Sequence, residues 1–403
     1  MQDHCDAAFF DARLDAAPFQ YCLYEEINGF SLMRRHCTSV GFIVLVFLTL
    51  GVLFPLHGQE EGRFRRQGRV FPRAQASRSS EPRARGPVFA RELPAASQAP
   101  RFSYSISNLT WSSPDESVRV TVRLFTPDGA SDCPVVIFSH GLGCSPEQFD
   151  YLASAWAQQG IVTVMLHHPD SDKSQWMGRL RPIAELKGIY QRVWSGRDRA
   201  LMIRFAIDRL CEMAGQEGTV GEQIDTSRIG VAGNDLGALA AMLVAGQLPP
   251  DNGGSLADAR VSAVAAFSPT VFCSPDRGAV VYGGIDVPFI SFAGTEDNGI
   301  VGDTKASERR IPFDSIQGVC RYHVTLLGGD HLVYAGHLRA AKKDWDAMYQ
   351  GVLRDLSTLF WKTFLLADTY ASVQLNHGTM ILPASIATLE REIVVSERSS
   401  TAP

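Results

Sequence analysis

Three places in this sequence bring together residue types that could carry out nucleophilic chemistry. In Gly233-Asn234-Asp235-Leu236-Gly237, an apolar run from Arg228 to Ala232 feeds into a pair of glycines that bracket one residue, and small-residue helical sequence comes next. Such spacing permits a strained strand-to-helix turn that pushes the central side chain, here Asp235, out over a sheet. A helix starting beside it would bring backbone N–H groups and positive dipole to a developing oxyanion. The second place is Val135 to Gly143, an apolar run ending in His140-Gly141-Leu142-Gly143. Its Leu142 amide is a candidate oxyanion donor, with the Leu236 amide as its partner. The third is a pair of strand-like runs. One ends in Gly294-Thr295-Glu296-Asp297 and the other in Gly328-Gly329-Asp330-His331. A catalytic histidine needs one ring nitrogen aimed at the reacting group and a carboxylate holding the other. Asp235, Asp297 and His331 occur in the order nucleophile, acid, histidine.

These residues need a scaffold that delivers all three to one edge. Strands are expected at Phe102–Thr110, Val118–Phe125, Pro134–Ser139, Ile161–Leu166, Arg228–Ala232, Val261–Phe267, Val287–Ala293 and Tyr322–Leu327. Helical patterns run over Pro146–Gln159, Arg197–Met213, Leu236–Gly246 and Trp345–Leu366. The first two strands are joined by a Ser-, Pro- and Asp-containing turn and should pair antiparallel. The later ones alternate with helices and read as continuous apolar runs, the mark of a buried parallel sheet. The expected class is therefore α/β, with a mostly parallel central sheet of about eight strands and helices on both faces. Chemistry in such sheets sits at the carboxyl ends of the strands.

The rest of the chain divides by composition. Hydrophobic residues make up 45 % of the 403, enough for a large core, so a wholly disordered chain is ruled out. A net charge of −5 argues against nucleic acid as the main partner. Eight cysteines without a C-x-x-C pair fit neither a disulfide scaffold nor a zinc site. His167 and His168, followed by Pro169 and lacking a spaced partner, read as a turn; no metal is expected. Residues 39–56 carry no charge and come after Arg34, Arg35 and His36. They fit a signal peptide or a membrane anchor within an N-terminal extension, residues 1–58, and either reading exports the downstream domain. Residues 59–101 hold ten Arg against four acidic residues and no apolar periodicity, as expected of a disordered tether. A domain over 102–370 and a tail over 371–403 complete the division.

The motifs Phe138-Ser-His-Gly-Leu-Gly143, His168-Pro-Asp-Ser-Asp172, Arg228-Ile-Gly-Val-Ala-Gly233, Gly294-Thr-Glu-Asp297, Gly328-Gly-Asp-His331 with Gly336-His337, and Leu356-Ser-Thr-Leu-Phe-Trp361 carry a resemblance. Residues from about Phe102 to Leu366 resemble the dienelactone-hydrolase-like branch of the α/β-hydrolases, which is similar to platelet-activating-factor acetylhydrolases. The resemblance implies the α/β-hydrolase fold and a serine hydrolase of small esters or lactones, with no metal or organic cofactor.

The departure falls on the nucleophile. Where the family has His-Ser, this chain has Asn234-Asp235, and the nearest serines, Ser227 and Ser268, lie off the elbow. A carboxylate attacking an ester carbonyl would form a high-energy mixed anhydride. Attack on an sp3 carbon bearing a halogen or epoxide oxygen instead forms a stable ester that histidine-activated water can cleave. Epoxide hydrolases and haloalkane dehalogenases use Asp in this way, although they have Trp where this chain has Leu236. Tyr190 and Trp194 fall in a plausible lid stretch. Three readings stand: a hydrolase using an Asp-Asp-His set on a small-molecule substrate, with Asp235 as nucleophile or as general base for water, a silent scaffold that binds a ligand or partner, and an exported protein acting through its basic tether. If Asp235 and Asp297 both flank His331, two negative charges favour the imidazolium, and activity should rise through a higher pH range than with one.

Overall fold

The computed structural model describes residues 99–116, 118–376, 382 and 384–394. The chain divides into two units, residues 1–83 and 84–403, and everything described lies in the second. The apolar run over 39–56 and nearly all of the tether lie outside the described residues. Among the described residues, no helix is long and apolar enough to cross a membrane.

The chain runs β1 (Tyr104–Ser112), β2 (Arg119–Pro127), β3 (Cys133–Ser139), α1 (Asp150–Ala157), β4 (Val162–His167), α2 (Pro182–Val193), α3 (Arg197–Met213), β5 (Ile224–Asn234) and α4 (Leu236–Ala245). It continues with β6 (Val261–Phe267), α5 (Gly278–Tyr282), β7 (Phe289–Glu296), α6 (Ile311–Ser315), β8 (Arg321–Asp330), α7 (Lys343–Phe364), α8 (Thr369–Asn376) and β9 (Ala387–Glu392). The fold is α/β. One sheet orders its strands β1-β2-β4-β3-β5-β6-β7-β8-β9. Pairing is parallel from β4 across to β8 and antiparallel at the margins, where β1 meets β2, β2 meets β4 and β8 meets β9.

Burial explains the pattern. Every residue of β3 is buried, as a central parallel strand requires, whereas most of β1 at the edge is exposed. Successive side chains of β3 point to opposite faces. Val135 and Ile137 pack with residues of α3 and α4, and Val136 and Phe138 with residues of α1 and α7. Helices thus cover both faces.

The expected sheet of about eight strands is there, with nine strands among the described residues. The segment set apart as a tail contributes the ninth, with β9 pairing Arg321 through Leu326 to Glu392 through Ala387. Its sequence, Ala-Thr-Leu-Glu-Arg-Glu, is too polar to announce a strand, and it forms one because an edge strand needs only one buried face. The single helix expected over Pro146–Gln159 is a 3-10 turn, Pro146–Phe149, and then α1. The helix α2 lies in the stretch that the sequence marks only as a lid.

Candidate active site

Asp235 sits between β5 and α4 with φ 53° and ψ −116°. A non-glycine residue pays strain for that conformation, so the surroundings must hold it there. Gly233 and Gly237 make it possible. A Cβ at Gly237 would run into the Ser139 and His140 carbonyls, and one at Gly233 into the backbone of Gly237 and Ala238. Helix α4 is buried along its whole length, Leu236 included. The Asp235 amide donates to the Phe267 carbonyl at 3.0 Å, tying the bend to the end of β6.

The carboxylate itself is partly exposed and held at both oxygens. Oδ2 accepts from the Leu142 amide at 3.3 Å, and Oδ1 accepts from the Thr270 hydroxyl at 2.8 Å. The Leu142 amide therefore reaches the elbow as expected from the sequence, but it addresses the Asp235 side chain itself. Leu236 begins α4 directly after Asp235.

Below the Leu142 loop, buried histidines and an arginine set its backbone. His140 Nδ1 lies 2.9 Å from the Gly141 carbonyl, which can only accept, so that nitrogen carries the proton. Nε2 then accepts from the His168 amide at 3.1 Å. Burial, with the nearby Arg199 charge, pushes both His140 and His168 well below the ordinary imidazole range. The buried Arg199 donates to the His140 carbonyl and, at 2.9 Å, to Ser171. His167 pairs with Asp172 at 2.7 Å. These histidines hold a turn; among the described residues, no group of three or more His, Cys, Asp or Glu could hold a metal ion.

The acid and the histidine meet at the ends of β7 and β8. His331 Nδ1 is 2.8 Å from Asp297 Oδ1, and Asp297 is fully buried. The same oxygen accepts from Ser268 Oγ at 3.0 Å and pairs with Arg309 Nε at 3.1 Å; Oδ2 accepts from the Tyr334 hydroxyl at 2.8 Å. Burial alone would raise the Asp297 carboxyl, but the His331 and Tyr334 hydrogen bonds and the Arg309 charge outweigh it and hold the group below the usual carboxylate range. Ser268 stands 3.1 Å from Nδ1, the nitrogen turned to the acid. That is the wrong side of the ring for a nucleophile.

Among the described residues, no direct hydrogen bond joins the Asp235 carboxylate to His331. The link runs through a short turn, Ser268 touching His331 and Asp297 and Thr270 touching Asp235. Thr270, Arg309 and Tyr334 are not signalled by the sequence, because each acts from a connection with no motif of its own. A local clue exists for Tyr334 alone, since it lies three residues beyond His331.

The stretch before and through α2 touches the loops beside this site. Trp176 Nε1 donates to the Gly143 carbonyl at 2.8 Å. The Tyr190 hydroxyl lies beside Gly302. Burial, with the charges of Asp235 and Asp303, pushes the Tyr190 phenol up to about 12, so it keeps its proton at neutral pH. Cys144, next to the Leu142 loop, is likewise pushed up to about 12 by burial and by Asp235. It is a protonated thiol and a poor nucleophile. All five cysteines among the described residues are free.

No family model and no curated protein matches the chain.

Proposed function

We propose that the chain is a hydrolase of the α/β-hydrolase superfamily, of the dienelactone-hydrolase-like or platelet-activating-factor-acetylhydrolase-like branch. Its substrate would be a small ester, lactone or related electrophile, and Asp235, Asp297 and His331 would do the chemistry without metal or organic cofactor. Within that range, the reading favours an electrophile with a reactive sp3 carbon, an epoxide or a haloalkane. The observation that carries it is the Leu142 amide on Asp235 Oδ2. In a serine enzyme that donor would serve the substrate's oxyanion; here it is committed to the residue that would itself become an ester.

The reaction would run in two stages. Asp235 Oδ1 bonds to the substrate carbon as the bond to halogen or epoxide oxygen breaks, and the electron pair leaves with that atom. The protonated Tyr190 phenol is a donor for a departing alkoxide. His331, held by Asp297, takes a proton from water, and the hydroxide adds to Asp235 Cγ. Negative charge then develops on Oδ2, where the Leu142 N–H already lies. Collapse breaks the Cγ–Oδ1 bond and the alcohol leaves with the proton from His331; the new carboxylic acid gives its own proton to the Tyr190 phenolate in the epoxide case, or to solvent in the haloalkane case, and the carboxylate returns.

A second reading is a silent scaffold that binds a ligand or partner. It is favoured by the Thr270 hydroxyl, which holds the very oxygen that would attack. A screen of short esters, lactones, epoxides and haloalkanes on the full chain, beside Asp235→Ala and Asp235→Ser, separates the readings. Epoxide or halide turnover abolished in Asp235→Ala supports the carboxylate nucleophile. Ester turnover gained only in Asp235→Ser marks a lost serine hydrolase, and no turnover in any form supports the scaffold. The basic flank and apolar run at residues 34–56 support an exported domain, secreted or held at a membrane.

A further inference from the structure

Residues 176–186 leave the core and return to it at one point. Trp176 donates to the Gly143 carbonyl at 2.8 Å, and a Cβ at Gly143 would meet both the Trp176 ring and, at 2.8 Å, the Leu186 side chain. The base of the loop therefore adjoins Leu142, whose amide holds Asp235. Between these two anchors, every residue from 177 to 185 except Pro182 is exposed. Leu180 is 101 % exposed, Met177 59 % and Ile183 49 %. Apolar side chains exposed singly are ordinary on a protein surface. Three on one short loop, one of them as open as in an isolated peptide, mark an interaction site.

Charge narrows the kind of partner. The chain as a whole carries −5, yet from Lys173 to Arg192 it holds five basic residues (Lys173, Arg179, Arg181, Lys187 and Arg192) against the single acid Glu185, a balance of +4. Lys173 lies 3.7 Å from Glu147, and Arg192 turns back to the Gly188 carbonyl. Arg179, Arg181 and Lys187 make no ion pair or side-chain hydrogen bond among the described residues. Arg179 and Arg181 bracket Leu180, so their stems can lie along an apolar layer while their guanidinium heads reach phosphate oxygens. A folded protein partner would have to offer a cavity shaped to the projecting Leu180, whereas a lipid layer is fluid and closes around whatever enters it. An apolar tip inside a cationic collar meets both terms of interfacial binding, buried apolar area and attraction to anionic headgroups.

We propose that residues 177–187 are a docking loop for an anionic phospholipid bilayer: Met177, Leu180 and Ile183 enter the apolar boundary, Arg179, Arg181 and Lys187 pair with phosphate groups, and the Asp235 bend is held beside the membrane. The proposal stands apart from the hydrolase reading, because docking needs no turnover. The ten Arg over 59–101 would also be drawn to such a surface, so the test must read the loop by itself. Hydrogen–deuterium exchange of the full chain, followed by mass spectrometry in peptides spanning 176–187, does so. It is run without vesicles, with phosphatidylcholine vesicles, and with vesicles of phosphatidylcholine and phosphatidylserine. Exchange in the loop should slow on the mixed vesicles and stay unchanged on phosphatidylcholine alone. Met177→Ser combined with Leu180→Ser keeps the charge and removes the apolar tip, and should abolish the slowing; both side chains are exposed, so the fold does not depend on them. Arg179→Gln and Arg181→Gln should each raise the lipid concentration that gives half the slowing by about fivefold. Unchanged exchange on the mixed vesicles overturns the proposal. So does slowing that survives the double serine variant, or a half-point that neither glutamine variant moves. Equal slowing by a soluble acidic polypeptide would assign the loop to an acidic protein partner and overturn the bilayer.

Discussion

The bend that carries Asp235 and the corner that carries Asp297 and His331 are built by opposite means. At the bend, a strained residue is held by sterics: two glycines let α4 close onto β3, and the carboxylate has one amide and one hydroxyl as partners while still partly open to solvent. At the corner, a buried charge is held by electrostatics, with His331, Ser268 and the Arg309 guanidinium on one Asp297 oxygen and a tyrosine on the other. The difference separates geometry from charge. The bend presents whatever side chain stands at 235, so a hydroxyl could be exchanged for a carboxylate without rebuilding it. The corner is committed to one arrangement, and changing any member leaves a buried group unpaired.

Substitutions can break that contrast. Asp235→Ala should lower kcat by about four orders of magnitude if the carboxylate is the nucleophile, as loss of an attacking group does. The thermal midpoint should fall by only a few degrees, the cost of the side chain's two hydrogen bonds, because the bend itself does not depend on the side chain. Both are read from steady-state kinetics and a melting curve on one preparation. Asp297→Asn should do the reverse in stability, at a cost of about 3 kcal/mol, because it strands the buried Arg309. Denaturant unfolding measures it.

Acid should sharpen the comparison. Asp297 has a folded pKa below its unfolded one, so the stability it supplies is complete above about pH 4 and is lost as pH falls further. His323, buried against Ser291, is pushed down to about 4, so it too supplies stability above the unfolded imidazole pKa of about 6.5 and loses it as pH falls toward 4. That loss is on the order of 3 kcal/mol. Urea midpoints from pH 7 to 4 should fall throughout this window, and by less in His323→Phe. At the bend, Gly237→Ala should cost about 2 kcal/mol through the clash with the Ser139 carbonyl, measured by the same unfolding experiment. The smallest effect belongs to Thr270→Val. It removes one hydroxyl from Asp235 and should change stability by about 1 kcal/mol, with kcat rising if that hydrogen bond restrains attack.

The same contrast explains which features are legible in the sequence. Gly233 and Gly237 declare the bend because a steric requirement at fixed spacing leaves a local trace. The apolar runs place β3 through β8, and with them the strand ends that hold Asp235, Asp297 and His331. Arg309 leaves no trace. It stands in Glu308-Arg309-Arg310, where it looks like its neighbour Arg310, yet Arg310 faces Asp314 and Glu390 at the surface and Arg309 is sealed inside. Only contacts with residues 12 to 41 positions away distinguish them. The polar β9 is hidden for a related reason, since its partner β8, and not its own composition, makes it a strand.

A single turnover in water labelled with heavy oxygen, on an epoxide or haloalkane that the chain accepts, addresses the role of Asp235 most directly. Mass spectrometry of the peptide containing Asp235 should find the label in that carboxylate, with the first product carrying unlabelled oxygen from the protein. Label in the product and none in Asp235 would mean that water attacks the substrate directly, and would contradict the carboxylate as nucleophile.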